Sequence, residues 1–208
     1  MALADRATHR PSSAVGPMAI AAFVILVVCT NIAAVVWARL LTSSPELLLA
    51  LSSRNRYLAL TLGADINRVA YWAIGCARLA LAFGVCHVAG RAYGEHILRV
   101  FTRYLGVEEE SIERLRSAFD RADWAIVPIF VGSNIVAAIS GIQRTAATRL
   151  AFLVAFGLVA RLALLQLLAN LFADQLDSLI GYVQKYSWWI VGASVLFVAL
   201  TNMRNTRR

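Results

Sequence analysis

The stretch that decides the fold is PELLLALSSRNRYLALTLGADINRVAYWAIGCAR, residues 45–78. It contains two short apolar segments, 47–51 and 57–62, on either side of the polar turn SSRNR at 52–56. Neither segment can cross a bilayer alone, because the ~30 Å hydrocarbon core takes about 20 helical residues. Residues 44–62 are therefore predicted to form a re-entrant helical hairpin, with a hairpin lying in the headgroup region as the alternative.

The composition of the whole chain is that of a membrane protein. Of its 208 residues, 60% are hydrophobic and 15% are charged, and its mean hydropathy is +0.67. A soluble domain carries about 25% charged residues. Disordered, collagen-like and disulfide-rich secreted chains are excluded for the same reason. Cys29, Cys76 and Cys86 lie in apolar runs with no CxxC pair, so no disulfide, metal site or cofactor is predicted.

Four other apolar runs are long enough to cross a bilayer, and a second pair of short segments repeats the hairpin pattern. We predict an all-α integral membrane protein with about four transmembrane helices, two re-entrant helical hairpins in an inverted repeat, and amphipathic surface helices. The predicted segments are an N-terminal tail (1–16), a first transmembrane helix (17–41), a core (44–172) holding the first hairpin (44–62), a transmembrane helix (66–90), an amphipathic segment (93–121), the second hairpin (124–142) and a transmembrane helix (146–172), then a last transmembrane helix (186–203) and a basic tail (204–208).

The amphipathic segment has two apolar stripes at helical spacing. They consist of Ile97, Val100, Phe101, Tyr104 and Leu105, and then of Ile112, Leu115 and Phe119. Arginines between the stripes are available to lipid phosphates, so two helices on a membrane surface are predicted.

The basic residues orient the chain. Nineteen of the 20 are arginines, and the formal net charge is +8. With the N-terminus in the cytoplasm, thirteen arginines face the cytoplasm and five basic residues face outward, as the positive-inside rule favours. This predicts a multi-pass protein of the cell membrane (inner or plasma membrane) with both termini cytoplasmic. The charge is assigned to anionic headgroups rather than nucleic acid, for which no groove-reading motif is present.

The chain shows signs of an internal duplication. Arg78 follows Pro45 by 33 residues, and Arg161 follows Pro128 by the same spacing. Under the predicted topology the two hairpins enter from opposite sides, which makes the units inverted, as in many secondary transporters. Chance is the alternative, since the rest of the two units shares little residue identity.

Two arginines, Arg78 and Arg161, fall in the middle of predicted transmembrane helices. A charge at that depth costs about 2.5–3.5 kcal/mol and needs a partner or a cavity. The expected partners are Glu46 and then Asp65. One hypothesis is that the arginines pair with these acids or with hairpin carbonyls and lock the bundle; the other is that they bind a lipid phosphate. The residues predicted to line a lipid groove are Glu46, Arg54, Arg56, Arg78, Asn134 and Arg161.

The order of these features resembles a known family. A short hairpin opens with Pro-Glu, a transmembrane helix ends in GRAYG (90–94), and a basic surface segment follows before the second hairpin with its Ser-Gly pair and the run GLVAR (157–161). Over about residues 44–185 this resembles the DedA family, the bacterial branch of the VTT-domain (SNARE-associated) membrane proteins, and most of all its divergent actinobacterial members. The motif positions are Pro45, Gly90, Arg91, Gly94, Pro128, Gly141 and Gly157.

The resemblance implies two facing re-entrant helices and the movement of phospholipid or polyprenyl-phosphate lipid between leaflets, with proton coupling in some members. Membrane lipids with anionic headgroups or phosphates are then the partners, and a homo-oligomer is a further expectation. The alternative is a membrane scaffold that transports nothing. An integral-membrane lipid-modifying enzyme is disfavoured, because the spans lack clustered acids, a nucleophile beside a histidine, and metal ligands.

Overall fold

The computed structural model of the protein describes residues 14–64, 66–98 and 109–206. Within these ranges the backbone is almost entirely helical and contains no strand, so the all-α prediction is confirmed there. The helices are α1 (Val15–Ser43), α2 (Pro45–Leu51), α3 (Asn55–Gly63), α4 (Arg68–Tyr93), α5 (Glu109–Ile129), α6 (Asn134–Ile142), α7 (Ala147–Leu171) and α8 (Ala173–Thr206).

Three of these helices, α1, α4 and α7, are long and apolar enough to cross a membrane. Each carries large apolar side chains on the molecular surface, among them Ile25 on α1, Val69 on α4 and Phe152 on α7. A soluble fold would bury such residues, whereas lipid solvates them. The chain is therefore a helical membrane protein.

Local sequence sets where the helices begin and end. Pro45 occupies the first turn of α2, where its missing N–H costs nothing. Asn67 caps α4, because its Oδ1 accepts a hydrogen bond from the Val69 N–H at 2.8 Å. Gly94 ends α4 with a φ of +57°, a conformation that favours glycine, and its N–H donates to the Gly90 carbonyl at 2.9 Å.

The described chain contains the same three-part unit twice. In the first unit, α2 and α3 form two short arms before the long helix α4. In the second, α5 bends at Ala122 (φ −150°), and its remaining residues form a short arm followed by α6 and the long helix α7. The helices α3 and α6 both have nine residues and begin 79 residues apart, as do α4 and α7.

The two units interlock by exchanging arms. The first arm of each hairpin packs on the long helix of its own unit, α2 on α4 and α5 on α7. The second arm packs on the long helix of the other unit, so that α3 lies on α7 and α6 lies on α4. Reciprocal packing of this kind is what two copies of one unit produce, and it supports the predicted duplication.

The register of that duplication differs from the predicted one. At a separation of 79 residues, Pro45 corresponds to Trp124 and Arg78 corresponds to Gly157. Pro128 therefore lies near the end of its arm, whereas Pro45 begins its own arm. The equal proline-to-arginine spacing does not mark equivalent positions. Arg161 lies four residues, or about one helical turn, beyond the position that matches Arg78.

The remaining elements surround this core. The first predicted amphipathic stripe lies mostly outside the described residues, while Ile112 and Phe119 of the second stripe are buried on α5. Arg149 at the start of α7 pairs with Asp123 beside the α5 bend at 2.7 Å. The long α8 changes direction at Tyr186 and packs on α1.

Candidate functional site

The two hairpin tips meet α1, α4 and α7 at a cavity of about 340 Å³. Its polar wall consists of tip residues 52–55 from the first hairpin and 131–134 from the second. Its apolar wall comes from α1 and α4 and includes Phe23, Leu79 and Phe83. A volume of this size is typical of small-ligand pockets, and a wall with one polar and one apolar side suits an amphipathic ligand.

Three guanidinium groups belong to this cavity. Arg54 comes from the first tip, Arg78 from the middle of α4 and Arg161 from the middle of α7. Among the described residues that line the cavity there is no aspartate or glutamate. The cavity is therefore strongly cationic, in a position where an isolated charge is costly.

Arg78 is almost fully buried, with 8% of its surface exposed, and the protein backbone satisfies it. Its Nε donates to the carbonyl of Ala50 at 3.0 Å, and its Nη2 donates to the carbonyls of Leu51 at 3.1 Å and Leu26 at 3.4 Å. Two of these acceptors lie in the last turn of α2, where carbonyls have no partner inside the helix. Arg78 thus closes the end of the first arm.

Arg161 is satisfied to a much smaller extent. Its Nη2 donates to Asn55 Oδ1 on the first hairpin tip. Its guanidinium lies directly on the second tip, since a methyl group at Gly132 would come within 2.6 Å of Nη1. Its Nε is buried and has no hydrogen-bond partner among the described residues. Arg161 therefore connects the two tips while leaving donors unused.

A second unused polar group belongs to the same cavity wall. Ser52 is 1% exposed, and its Oγ has no hydrogen-bond partner among the described residues. Ser52 also does not cap α3, which begins without a side-chain cap. The corresponding position of the second unit differs, because Ser133 Oγ accepts from the Val136 N–H at 3.4 Å and caps α6. The first tip is thus the less satisfied of the two.

Of the predicted groove residues, the structure brings together Arg54, Arg78, Asn134 and Arg161. It does not place Glu46 or Arg56 among the residues that line the cavity. The remaining two lie elsewhere on the first hairpin, as follows.

Glu46 is the first correction. It lies in the first turn of α2, at the end opposite to the carbonyls that Arg78 binds, and there it favours the positive end of the helix dipole. Among the described residues neither buried arginine forms an ion pair, so the expected pairing with Glu46 is wrong; the prediction for Asp65 lies outside the described residues. Arg56 instead donates to its neighbour Tyr57 Oη at 2.7 Å.

The motif glycines serve helix packing rather than the cavity. An alanine Cβ at Gly90 would come within 2.8 Å of Ala138 Cα, and one at Gly141 within 2.8 Å of the Arg91 amide nitrogen. These two glycines let α4 and α6 cross in close contact, and His87 Nδ1 and Ser140 Oγ form a hydrogen bond of 2.9 Å at that crossing.

Gly157 makes a similar close contact in the second unit. A Cβ at this position would lie 2.6 Å from Pro128 Cα, so α7 and the second half of α5 touch through their backbones. Together with Gly90 and Gly141, this residue indicates that the family-like motif records helix crossings.

Several cavity residues were not predicted. Ser52 and Asn55 belong to the polar turn 52–56, and their position between two arginines was the signal available for them. Thr30 and Asn31, which line the cavity from α1, are the only strongly polar pair within an otherwise apolar run. Polar residues inside apolar helices were thus the signal for the α1 wall.

The described residues contain no group of three or more His, Cys, Asp and Glu side chains that could hold a metal ion. The chemistry of the site is therefore that of its arginines, amides and hydroxyls. No family model matches the chain, and no curated protein or solved structure matches it.

Proposed function

We propose that the protein moves a phosphate-bearing lipid, a phospholipid or a polyprenyl phosphate, between the leaflets of a cell membrane in the manner of DedA-family proteins. The observation that supports this is the cavity between the hairpin tips, with three arginines and no carboxylate in its wall. Guanidinium groups bind phosphate oxygens through paired N–H donors.

The shape of the cavity fits a lipid better than a soluble anion. Phe23, Leu79 and Phe83 provide an apolar wall beside the polar tips, and the neighbouring outer faces of α4 and α7 carry exposed apolar side chains such as Leu81 and Phe156. A lipid can keep its chains in such apolar surroundings while its headgroup enters the polar part. Its phosphate would also balance the charge of the buried arginines.

The corresponding topology has four crossing helices, α1, α4, α7 and the second half of α8. The two hairpins enter from opposite leaflets, and both chain termini lie in the cytoplasm. Support comes from the reciprocal packing of the units and from the position of Arg78 and Arg161 near the middles of α4 and α7, beside both tips. The hairpins then divide the bilayer between them, and the cavity lies at mid-depth.

The topology predicts how single cysteines label in a variant lacking the native cysteines. Ser43→Cys and Arg68→Cys flank the first hairpin, and we expect both to react with a membrane-impermeant maleimide from outside intact cells of an expression host. Arg121→Cys and Thr148→Cys flank the second hairpin, and we expect both to react only after permeabilisation. All four positions are exposed. Labelling of one flank from each side would show that a hairpin crosses the membrane.

The function predicts exchange of a fluorescent phospholipid in liposomes. Purified protein is reconstituted with nitrobenzoxadiazole-labelled phosphatidylglycerol, and dithionite is added outside. We expect loss of fluorescence beyond the outer-leaflet fraction seen in protein-free liposomes. Folded, inserted protein that gives no additional loss, for this lipid and for a labelled polyprenyl phosphate, would contradict transport and favour a non-transporting membrane scaffold.

A further inference from the structure

We propose that the two buried arginines have different functions: Arg161 binds the phosphate of the lipid, by exchanging its bond to Asn55, whereas Arg78 is a structural residue. This rests on the proposed function only in taking a lipid phosphate as the ligand. It concerns binding, which can be measured without transport.

The first step is the number of donors that each arginine has left. A guanidinium group has five N–H donors. Arg78 donates three hydrogen bonds to backbone carbonyls, and those carbonyls would lose their partner if it turned to a ligand. Arg161 donates one, to the side chain of Asn55, and its buried Nε has no partner among the described residues. Binding a phosphate thus costs Arg161 far less than it costs Arg78.

The second step is the surroundings of Arg161. The hydroxyl of Ser52 lies in the same cavity wall, is buried and has no partner among the described residues. The first-turn amides of α3 begin at the same tip without a side-chain cap, and Arg54 adds a further positive charge. Donors from a hydroxyl, a helix N-terminus and a guanidinium group are the set that binds phosphate elsewhere in proteins.

The third step is the register of the repeat, which explains why the two arginines differ. Gly157, the position that matches Arg78, touches the backbone of Pro128, so no long side chain fits there. The arginine of the second unit lies one turn further along α7. It consequently reaches Gly132 and the opposite tip rather than the carbonyls at the end of its own first arm.

The fourth step concerns the bond that is exchanged. Asn55 offers Arg161 a neutral amide oxygen, and a phosphate oxygen carries negative charge. Hydrogen bonds between two charged groups are about twice as strong as those between neutral groups. A phosphate can therefore displace the Asn55 side chain without leaving the guanidinium unpaired, and the contact between the two hairpin tips opens as it does so.

Binding is tested on detergent-solubilised full-length protein through the shift of its melting temperature, which a ligand of the folded state raises. The probe is dioctanoyl phosphatidic acid. Dioctanoylglycerol, which lacks the phosphate, is the matched control, and inorganic phosphate at the same concentration represents a free anion. We expect phosphatidic acid alone to raise the melting temperature. An equal shift with inorganic phosphate would make the ligand a free anion, and an equal shift with dioctanoylglycerol would remove the role of the phosphate.

Substitutions at Asn55 then test the exchange. Asn55→Asp gives Arg161 a permanent carboxylate partner and an acid in the first turn of α3, where it is tolerated. We expect the ligand-free protein to melt no lower than the wild type and to bind phosphatidic acid about tenfold more weakly or worse, because close charge pairs couple strongly. Asn55→Ala frees Arg161, and we expect binding as tight as in the wild type or tighter.

The opposite pattern would overturn the proposal. A structural Arg161 predicts that Asn55→Asp binds phosphatidic acid like the wild type. Arg161→Gln is expected to lose binding, while folded Arg78→Lys is expected to keep it, and the reverse result would assign the phosphate to Arg78. Binding that follows the expected pattern in a protein without lipid exchange would contradict the proposed transport and leave the phosphate site in place.

Discussion

Replacing Gly141 with alanine is expected to destabilise the protein by about 3 kcal/mol, as overpacking of a close contact does. The added Cβ would collide with the carbonyl oxygen of His87 and lie 2.8 Å from the amide nitrogen of Arg91. Both are backbone atoms of α4, so no rotamer change relieves the contact. The helices must separate along the most extensive interface of the fold.

The matched control lies on the other helix of the same crossing. Gly84 is on α4, and a Cβ at this position has no atom within 4 Å. We expect Gly84→Ala to melt at or above the wild-type temperature, because alanine favours a helix over glycine by about 1 kcal/mol. The melting temperature in detergent compares the two variants. If Gly141→Ala melted with Gly84→Ala, α4 and α6 would not cross as closely as the structure has them.

The same crossing illustrates how much of the fold the sequence can predict. The long helices α1, α4 and α7 follow from uninterrupted apolar runs, and the short arms follow from runs too short to cross a bilayer. The exchange of arms between the units could not be predicted. It depends on which backbones approach each other, and a glycine reveals that an approach exists without naming its partner.

The register error has a similar physical cause. Pro45 and Pro128 are rare residues, and their equal spacing from Arg78 and Arg161 resembled a repeat. Helix boundaries carry the true register, and in the second unit the first arm continues out of α5 with only the bend at Ala122 to mark its start. A bend inside a continuous helix leaves a much weaker trace in sequence than a proline does.

The candidate site was predicted in part because charge in an apolar run is informative. That reasoning found Arg78, Arg161, Arg54 and Asn134, all of which line the cavity. It failed for Glu46 because it sought a carboxylate for each guanidinium. The unpaired carbonyls at the end of a short helix are an equally good partner, and they become visible only once the helix end is known.

Arg78→Met is expected to lower the stability by about 3 kcal/mol and to reduce the yield of monodisperse protein. The substitution removes three hydrogen bonds and leaves the carbonyls of Ala50 and Leu51 without partners beside the hairpin tip. Each buried acceptor left unpaired costs about 1–3 kcal/mol. Removing a buried charge offsets part of this loss, since methionine needs no solvation at this depth.

Arg78→Lys separates the charge from the hydrogen bonds. An ammonium group keeps the charge but cannot present the planar fork that reaches two carbonyls at once. We therefore expect its melting temperature to lie between those of the wild type and Arg78→Met. If the charge alone mattered, lysine would equal the wild type. If Arg78→Met melted at the wild-type temperature, the end of α2 would have other hydrogen-bond donors. Arg78 would then be as free as Arg161 to bind a phosphate, and the assigned difference between the two arginines would not hold.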